Sequence, residues 1–186
     1  VTTEVEGAAP EVLSTVEHFH GRMFDVVTDQ VKFADGEVAN RDYMKHVGAV
    51  GVVALDEENR VLLLRQYRHP VRQVLWELPA GLIDVPGEPL EAAAARELAE
   101  EADLVAAEWA QLIDIHPSPG CSDERIRVFV ARGLSAVPDD ERHVRTAEEA
   151  GLTTHWVPLA EAVAMGLRGE ITNGACLAGV LAAAQL

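Results

Sequence analysis

The stretch "EAAAARELAEEADL", residues 91–104, decides how this chain is read. Alanine, leucine, glutamate and arginine lose least on entering a helix. No glycine or proline interrupts them, so the stretch predicts a helix starting at about Pro89. Yet Glu97, Glu100 and Glu101 fall within a single turn, where like charges at i,i+3 and i,i+4 cost roughly 0.2–0.5 kcal/mol per pair. At about 100° per residue, Glu97 and Glu101 project within roughly 40° of each other and Glu100 flanks Glu97. Ala95, Leu98 and Ala102 occupy the adjoining arc as the expected core stripe. Arg96 stands at i,i−4 to Glu100, and Glu88 lies near the positive end of the helix dipole. Such an arc is either a solvated acidic face or a seat for a hard divalent cation. Mg²⁺ takes oxygen ligands at roughly 2.1 Å and bridges them to phosphates.

The rest of the chain narrows the choice. Its 186 residues suffice for one sizeable core, and 48% hydrophobic with 25% charged residues is ordinary globular composition. The net charge of −16 repels a nucleic-acid backbone and an anionic membrane alike, which argues against both as partners. An anionic substrate would need that field reversed locally. "VTTEVEGAAPEVLS" has neither the basic start nor the apolar run of a signal peptide, and the final "GACLAGVLAAAQL" is too short to span a membrane. Cys121 and Cys176 match no zinc pattern and make no disulfide framework, so a cytoplasmic protein with reduced thiols is the expectation.

Strand-like runs lie on both sides of the helix. "RMFDVVTDQVKF" and "RDYMKHV" flank the turn-prone "ADGEVAN", and "GAVGVVAL" and "RVLLLRQY" bracket "DEEN" as a hairpin of strands buried on both faces. "VLWELPAG" precedes the helix; "AQLIDI", "RIRVFVARGL" and "LTTHWVPL" follow it, before two closing helices in "LAEAVAMGLRG" and "NGACLAGVLAAAQL". This order predicts a mixed α/β (α+β) sandwich and not a regular βαβ repeat. The polar segment 135–151 shows neither period, and a loop of that length is more often functional than idle.

Read from Gly81, the order is glycine, six residues, Glu88, seven residues, then Arg96-Glu97-Leu98-Ala99-Glu100-Glu101-Ala102-Asp103-Leu104. This resembles the Nudix box, Gly-x5-Glu-x7-Arg-Glu-U-x-Glu-Glu-x-Gly-U, with U a bulky apolar residue. Two positions depart from it. The first gap is one residue longer, in a loop where Pro86 and Gly87 absorb an insertion, and the terminal glycine is Asp103, a residue type that tolerates a left-handed helix cap. Outside the box, "RQYRHP", "LWELPAGLID" and Pro119, fifteen residues beyond Leu104, resemble the ADP-ribose pyrophosphatase branch of the family.

The resemblance implies an α/β/α Nudix sandwich over residues 47–186 and a small antiparallel sheet in residues 1–46 that serves homodimerisation. It implies hydrolysis of the pyrophosphate of ADP-ribose to AMP and ribose 5-phosphate, with Mg²⁺ as cofactor and Mn²⁺ as its alternative. Glu97, Glu100, Glu101 and the Ala80 carbonyl are the implied metal ligands. The water-activating base comes from the loop after the box, where Glu148 is preferred to Glu149 by its distance from the next strand; Glu100 is the fallback. Arg68 and Arg41 match arginines that contact phosphate and terminal ribose, whereas Trp76 and Glu77 are expected to brace their strand. The competing readings are a pyrophosphatase for other nucleotide sugars and a non-catalytic Nudix-fold module that binds ADP-ribose. Intact box carboxylates argue against the module.

Overall fold

The computed structural model describes residues 9–145 and 151–186. The chain separates into two compact units, one formed by the segment up to Val47 with Ser118–Glu124, the other by Gly48–Pro117 with Arg125–Leu186.

The first unit is a three-stranded antiparallel sheet in the order β1 (Glu11–His20), β2 (Phe24–Lys32), β3 (Val38–His46). The turn between β2 and β3 is closed by Gly36 at φ 88° and by the Phe33 amide donating to the Glu37 carbonyl at 2.9 Å. β1 is additional to the two strands that the sequence pattern marks. Every one of its residues is exposed, so it lacks the one-sided burial that the period-two signal detects. Asp29 on β2, 9% exposed, accepts from the Thr15 hydroxyl at 2.6 Å and the Tyr43 hydroxyl at 3.2 Å, tying all three strands together.

The second unit holds two sheets. One runs β7 (Ala80–Leu82), β4 (Ala49–Ala54), β9 (Ile126–Ala136), β8 (Leu104–Ile115), with β4 and β9 parallel and the other pairs antiparallel. The other runs β10 (Thr153–Pro158), β5 (Arg60–Arg68), β6 (Gln73–Glu77). The apparent hairpin across "DEEN" is therefore a crossing between sheets. β4 sits inside one sheet and β5 is the centre of the other, and a single bridge from Leu55 to Val61 links their ends. Interior positions in two different sheets explain why both strands read as continuous apolar runs.

Helices cover both faces of the four-stranded sheet. From β4 and β9, Val50, Val52, Phe129 and Ala131 pack with Ala93, Ala94 and Leu98 of α1 (Leu90–Ala102). The alternate residues Val53, Val128 and Val130 join Met165 of α2 (Leu159–Leu167) and Cys176 and Val180 of α3 (Gly174–Ala183). Period-two alternation thus divides one pair of strands between two cores, which is the α/β/α layering. The α1 stripe is displaced from the expected one. Ala93, Ala94 and Leu98 are fully buried, while Ala95 and Ala102 are half-buried, because the sheet meets the helix along its Ala94–Leu98 ridge. α3 starts at Asn173, whose side chain accepts from the Cys176 amide at 2.9 Å. Burial, and then the Glu77 charge, push the Cys176 thiol up to about 12, so it serves as a packing group.

Candidate active site

α1 has no side-chain cap at its start, where Pro89 stands at φ −60° and ψ 141°, and its alanines carry the helix by propensity. It ends at Asp103, which takes the left-handed conformation at φ 55°, ψ 35° with its amide on the Ala99 carbonyl at 3.1 Å. The substitution of aspartate for the box glycine therefore keeps the glycine's backbone geometry.

The carboxylates do not form an open acidic face. Glu97 is 9% exposed and Glu101 6%, while Glu100 is half-buried. Glu101 accepts from the Ala80 backbone amide at 2.8 Å, which brings β7 against the helix. Gly81, next in β7, lies so close to Glu97 that a Cβ there would collide with the carboxylate. Burial raises the Glu97 carboxyl above its ordinary range, with Arg96 acting against that shift. The repulsion along the arc is offset by Arg96, which bonds Glu88 at 3.1 and 3.3 Å, pairs with Glu97, and lies 3.5 Å from Glu100. The hydrogen bond to Glu88, ahead of the charges of Glu97 and Glu88 themselves, holds the guanidinium above its usual range.

Beyond α1, the Arg145 guanidinium donates to the Glu100 carbonyl at 2.9 Å and to the Asp103 carboxylate at 2.6 Å. Arg68 forms a two-pronged pair with Glu77 on the neighbouring strand, at 2.6 to 3.1 Å, and Glu77 is 3% exposed. Trp76 carries the Arg65 guanidinium over its ring at 4.7 Å and meets His155 edge-on at 5.2 Å.

Of the site residues expected from sequence, Ala80, Glu97, Glu100 and Glu101 are thus brought together in one unit. Arg68 lies in the same unit, at the end of β5. Arg41 belongs to the other unit, with its guanidinium over the Phe33 ring at 5.0 Å. Glu148 and Glu149 lie outside the described residues. The sequence reading missed Arg145, 42 positions from its partner, for which no local signal exists. It also missed the steric fit of Gly81, although the glycine itself was marked.

The donors suit a hard cation, being carboxylates on one helical arc beside a residue without a side chain. Among the described residues, only Glu17, His20 and Asp25 of the N-terminal sheet bring three acidic or imidazole donors within 4.8 Å. The α1 carboxylates stand further apart, which Mg²⁺ accommodates because it uses one or two carboxylates and fills its octahedron with water and phosphate oxygens.

A helix whose carboxylates lie against β7, set on a mixed sheet with helices on both faces, offers the oxygen donors that a hard divalent cation takes. Residues 45–174 match the family model described as NUDIX domain, and the chain belongs to that family. It is 45% identical over 172 residues to the ADP-ribose pyrophosphatase of Mycobacterium tuberculosis, covering 92% of this chain and 82% of that one. It is 36% identical over 125 residues to the methanol dehydrogenase activator of Bacillus methanolicus, covering 67% of each. The solved structure described as an ADP compounds hydrolase superposes with a TM-score of 0.80 over 98% of this chain and 96% of that one, at 21% identity, which shows a shared fold.

Proposed function

We propose that this chain hydrolyses the pyrophosphate of ADP-ribose to AMP and ribose 5-phosphate, with Mg²⁺, or alternatively Mn²⁺, held by Glu97, Glu100, Glu101 and the Ala80 carbonyl. The observation that carries this reading is the 45% identity to an ADP-ribose pyrophosphatase along nearly the whole chain, with the box carboxylates intact. When bound, the cation neutralises phosphate charge, polarises phosphorus and makes water more acidic.

The chain's own residues supply the rest. Glu101, fixed by the Ala80 amide, keeps its second oxygen's direction set by the strand. Arg96 holds Glu97 and Glu100 in place against their mutual repulsion. Glu148 takes the proton of the attacking water, with Glu149 and Glu100 as the other carboxylates available for that role. Arg68 and Arg41 bind phosphate and terminal ribose through their planar forks.

The proposal extends to a cytoplasmic homodimer. Among the described residues β1 is the edge of its sheet and exposes Val12, Leu13, Val16 and Phe19, each 44–55% accessible, and an edge of that kind invites pairing with a second copy. The charge of −16 gives nucleic acid and anionic membranes no purchase, and no helix among the described residues is long and apolar enough to cross a membrane.

One panel tests the reading. Wild type and Glu101→Gln are incubated with ADP-ribose and other nucleoside-diphosphate sugars, with and without Mg²⁺, and AMP release is followed. The expected result is metal-dependent release of AMP from ADP-ribose ahead of the other compounds, and its loss in Glu101→Gln with melting unchanged. Faster cleavage of another nucleotide sugar moves the assignment to that substrate; binding of ADP-ribose without cleavage makes the protein a sensor.

A further inference from the structure

We propose that Asp103 and Arg145 form a clamp that positions the last turn of α1, the turn bearing Glu100 and Glu101, against the segment Glu141–Val144. Both are positioning residues for the reaction, and this role rests on the hydrolase reading above.

Three observations carry it. Asp103 sits in a left-handed conformation that glycine adopts freely and aspartate tolerates at some cost, which a contact of its side chain would offset. Its carboxylate also stands at the negative end of the helix dipole, which is unfavourable unless a cation meets it. Arg145 is that cation. One guanidinium takes the Asp103 carboxylate at 2.6 Å and the Glu100 carbonyl, in the last turn of the helix, at 2.9 Å, with both side chains largely shielded at 22% and 25% exposure. Asp103 is held a third way, since its carbonyl accepts from the Val137 amide at 2.9 Å.

Next in the chain to Arg145, the segment Glu141–Val144 lines a cavity of about 440 Å³, in which Arg96 and Glu100 of the helix face Glu141, Arg142 and His143. A glycine at 103 would make the same turn and leave Arg145 without its carboxylate. Arg145 would then keep only its bond to the Glu100 carbonyl, and the wall bearing Arg142 and His143 would be held less firmly beside Glu100.

Asp103→Gly, Arg145→Gln, the double variant and Asp103→Asn decide the matter. Amide exchange on the metal-free protein reads the clamp without substrate or cation, and steady-state kinetics with ADP-ribose read its consequence. Asp103→Gly is expected to melt no lower than wild type, because the strained turn is relieved. Exchange at 141–145 should nevertheless quicken about tenfold, and kcat fall about tenfold, as for removal of a group that orients a ligand. KM should change by less than about twofold, and Asp103→Asn, which keeps an acceptor, should recover part of the loss. The double variant should be no worse than Arg145→Gln alone, because that single change already removes both bonds of the clamp. Wild-type exchange and kcat in Asp103→Gly, or losses that add in the double variant, would overturn the clamp. Arg145→Gln tests it from the other end if Asp103→Gly does not fold. A wild type inactive on ADP-ribose overturns the hydrolase reading, and the exchange data still decide whether the clamp exists.

Discussion

The carboxylate of Glu97 fills the space in which a Cβ on residue 81 would stand. Built onto Gly81, that atom would lie well under 3.0 Å from all three carboxylate atoms. The box glycine and the second box glutamate are thus one steric unit, though sixteen positions apart in the chain.

Gly81→Ala follows directly. The group in the way is the end of a flexible side chain, so the backbone stays and Glu97 moves. Melting should shift by no more than a few degrees, while metal-dependent turnover falls about 10- to 100-fold, the usual cost of a misdirected ligand. Metal titration of the rate alongside thermal melting checks it. A fully active Gly81→Ala protein would rule against Glu97 as a metal ligand.

What the sequence made legible was local. Periodicity and composition placed α1 and most of the strands, and the spacing from Gly81 to Glu101 marked the helix carboxylates before any fold was known. What it did not show was non-local. β4 and β5 look like a hairpin because adjacent apolar runs carry no record of which sheet each enters. β1 is missed because a strand exposed throughout has no burial period. Glu97 and Glu101 read as surface acids on a helical wheel, yet β7 covers them, and a three-residue strand leaves little trace in sequence. Arg145 finds Asp103 only through the fold.

Arg68 has to be tested with its partner. Glu77 is 3% exposed, so removing the arginine strands a buried carboxylate, whereas Arg68 itself is 40% exposed. Between the cost of breaking a buried pair and that of a surface one, Arg68→Ala should destabilise by roughly 1–3 kcal/mol. Arg68→Ala/Glu77→Gln should regain much of the melting temperature. If Arg68 also binds phosphate, KM for ADP-ribose stays raised in the double variant; a KM that recovers with stability makes Arg68 a structural residue alone.

Asp56 sets an acid limit on stability. Burial raises its carboxyl, but hydrogen bonds from the Arg60 amide and guanidinium, the Arg60 charge and the Glu58 amide outweigh that and lower it below the usual range. A lowered folded pKa means stability that is present above the unfolded value, about 3.9, and lost as pH falls through the folded value. Wild type should therefore lose melting temperature below about pH 4, and Asp56→Asn should show a smaller loss over the same range. Asp56→Ala, which strands the turn amides, should cost roughly 1–3 kcal/mol at neutral pH. Parallel acid profiles for wild type and Asp56→Asn would assign the acid limb elsewhere.

The water-activating base is the remaining role. Glu148 lies in the loop after the box and is preferred to Glu149 by its distance along the chain from the next strand. If Glu148 takes the proton, Glu148→Gln lowers kcat by roughly 10²–10⁴, the range of general-base catalysis, while KM changes little because the helix carboxylates remain. The acid limb of the pH–rate profile should shift or vanish with it, since the carboxylate that titrates there is gone. Glu149→Gln removes one charge from the same segment and serves as the control. A larger loss at Glu149 transfers the role to that residue. Small losses at both, with a large one in Glu100→Gln at saturating metal, put the base on the helix itself.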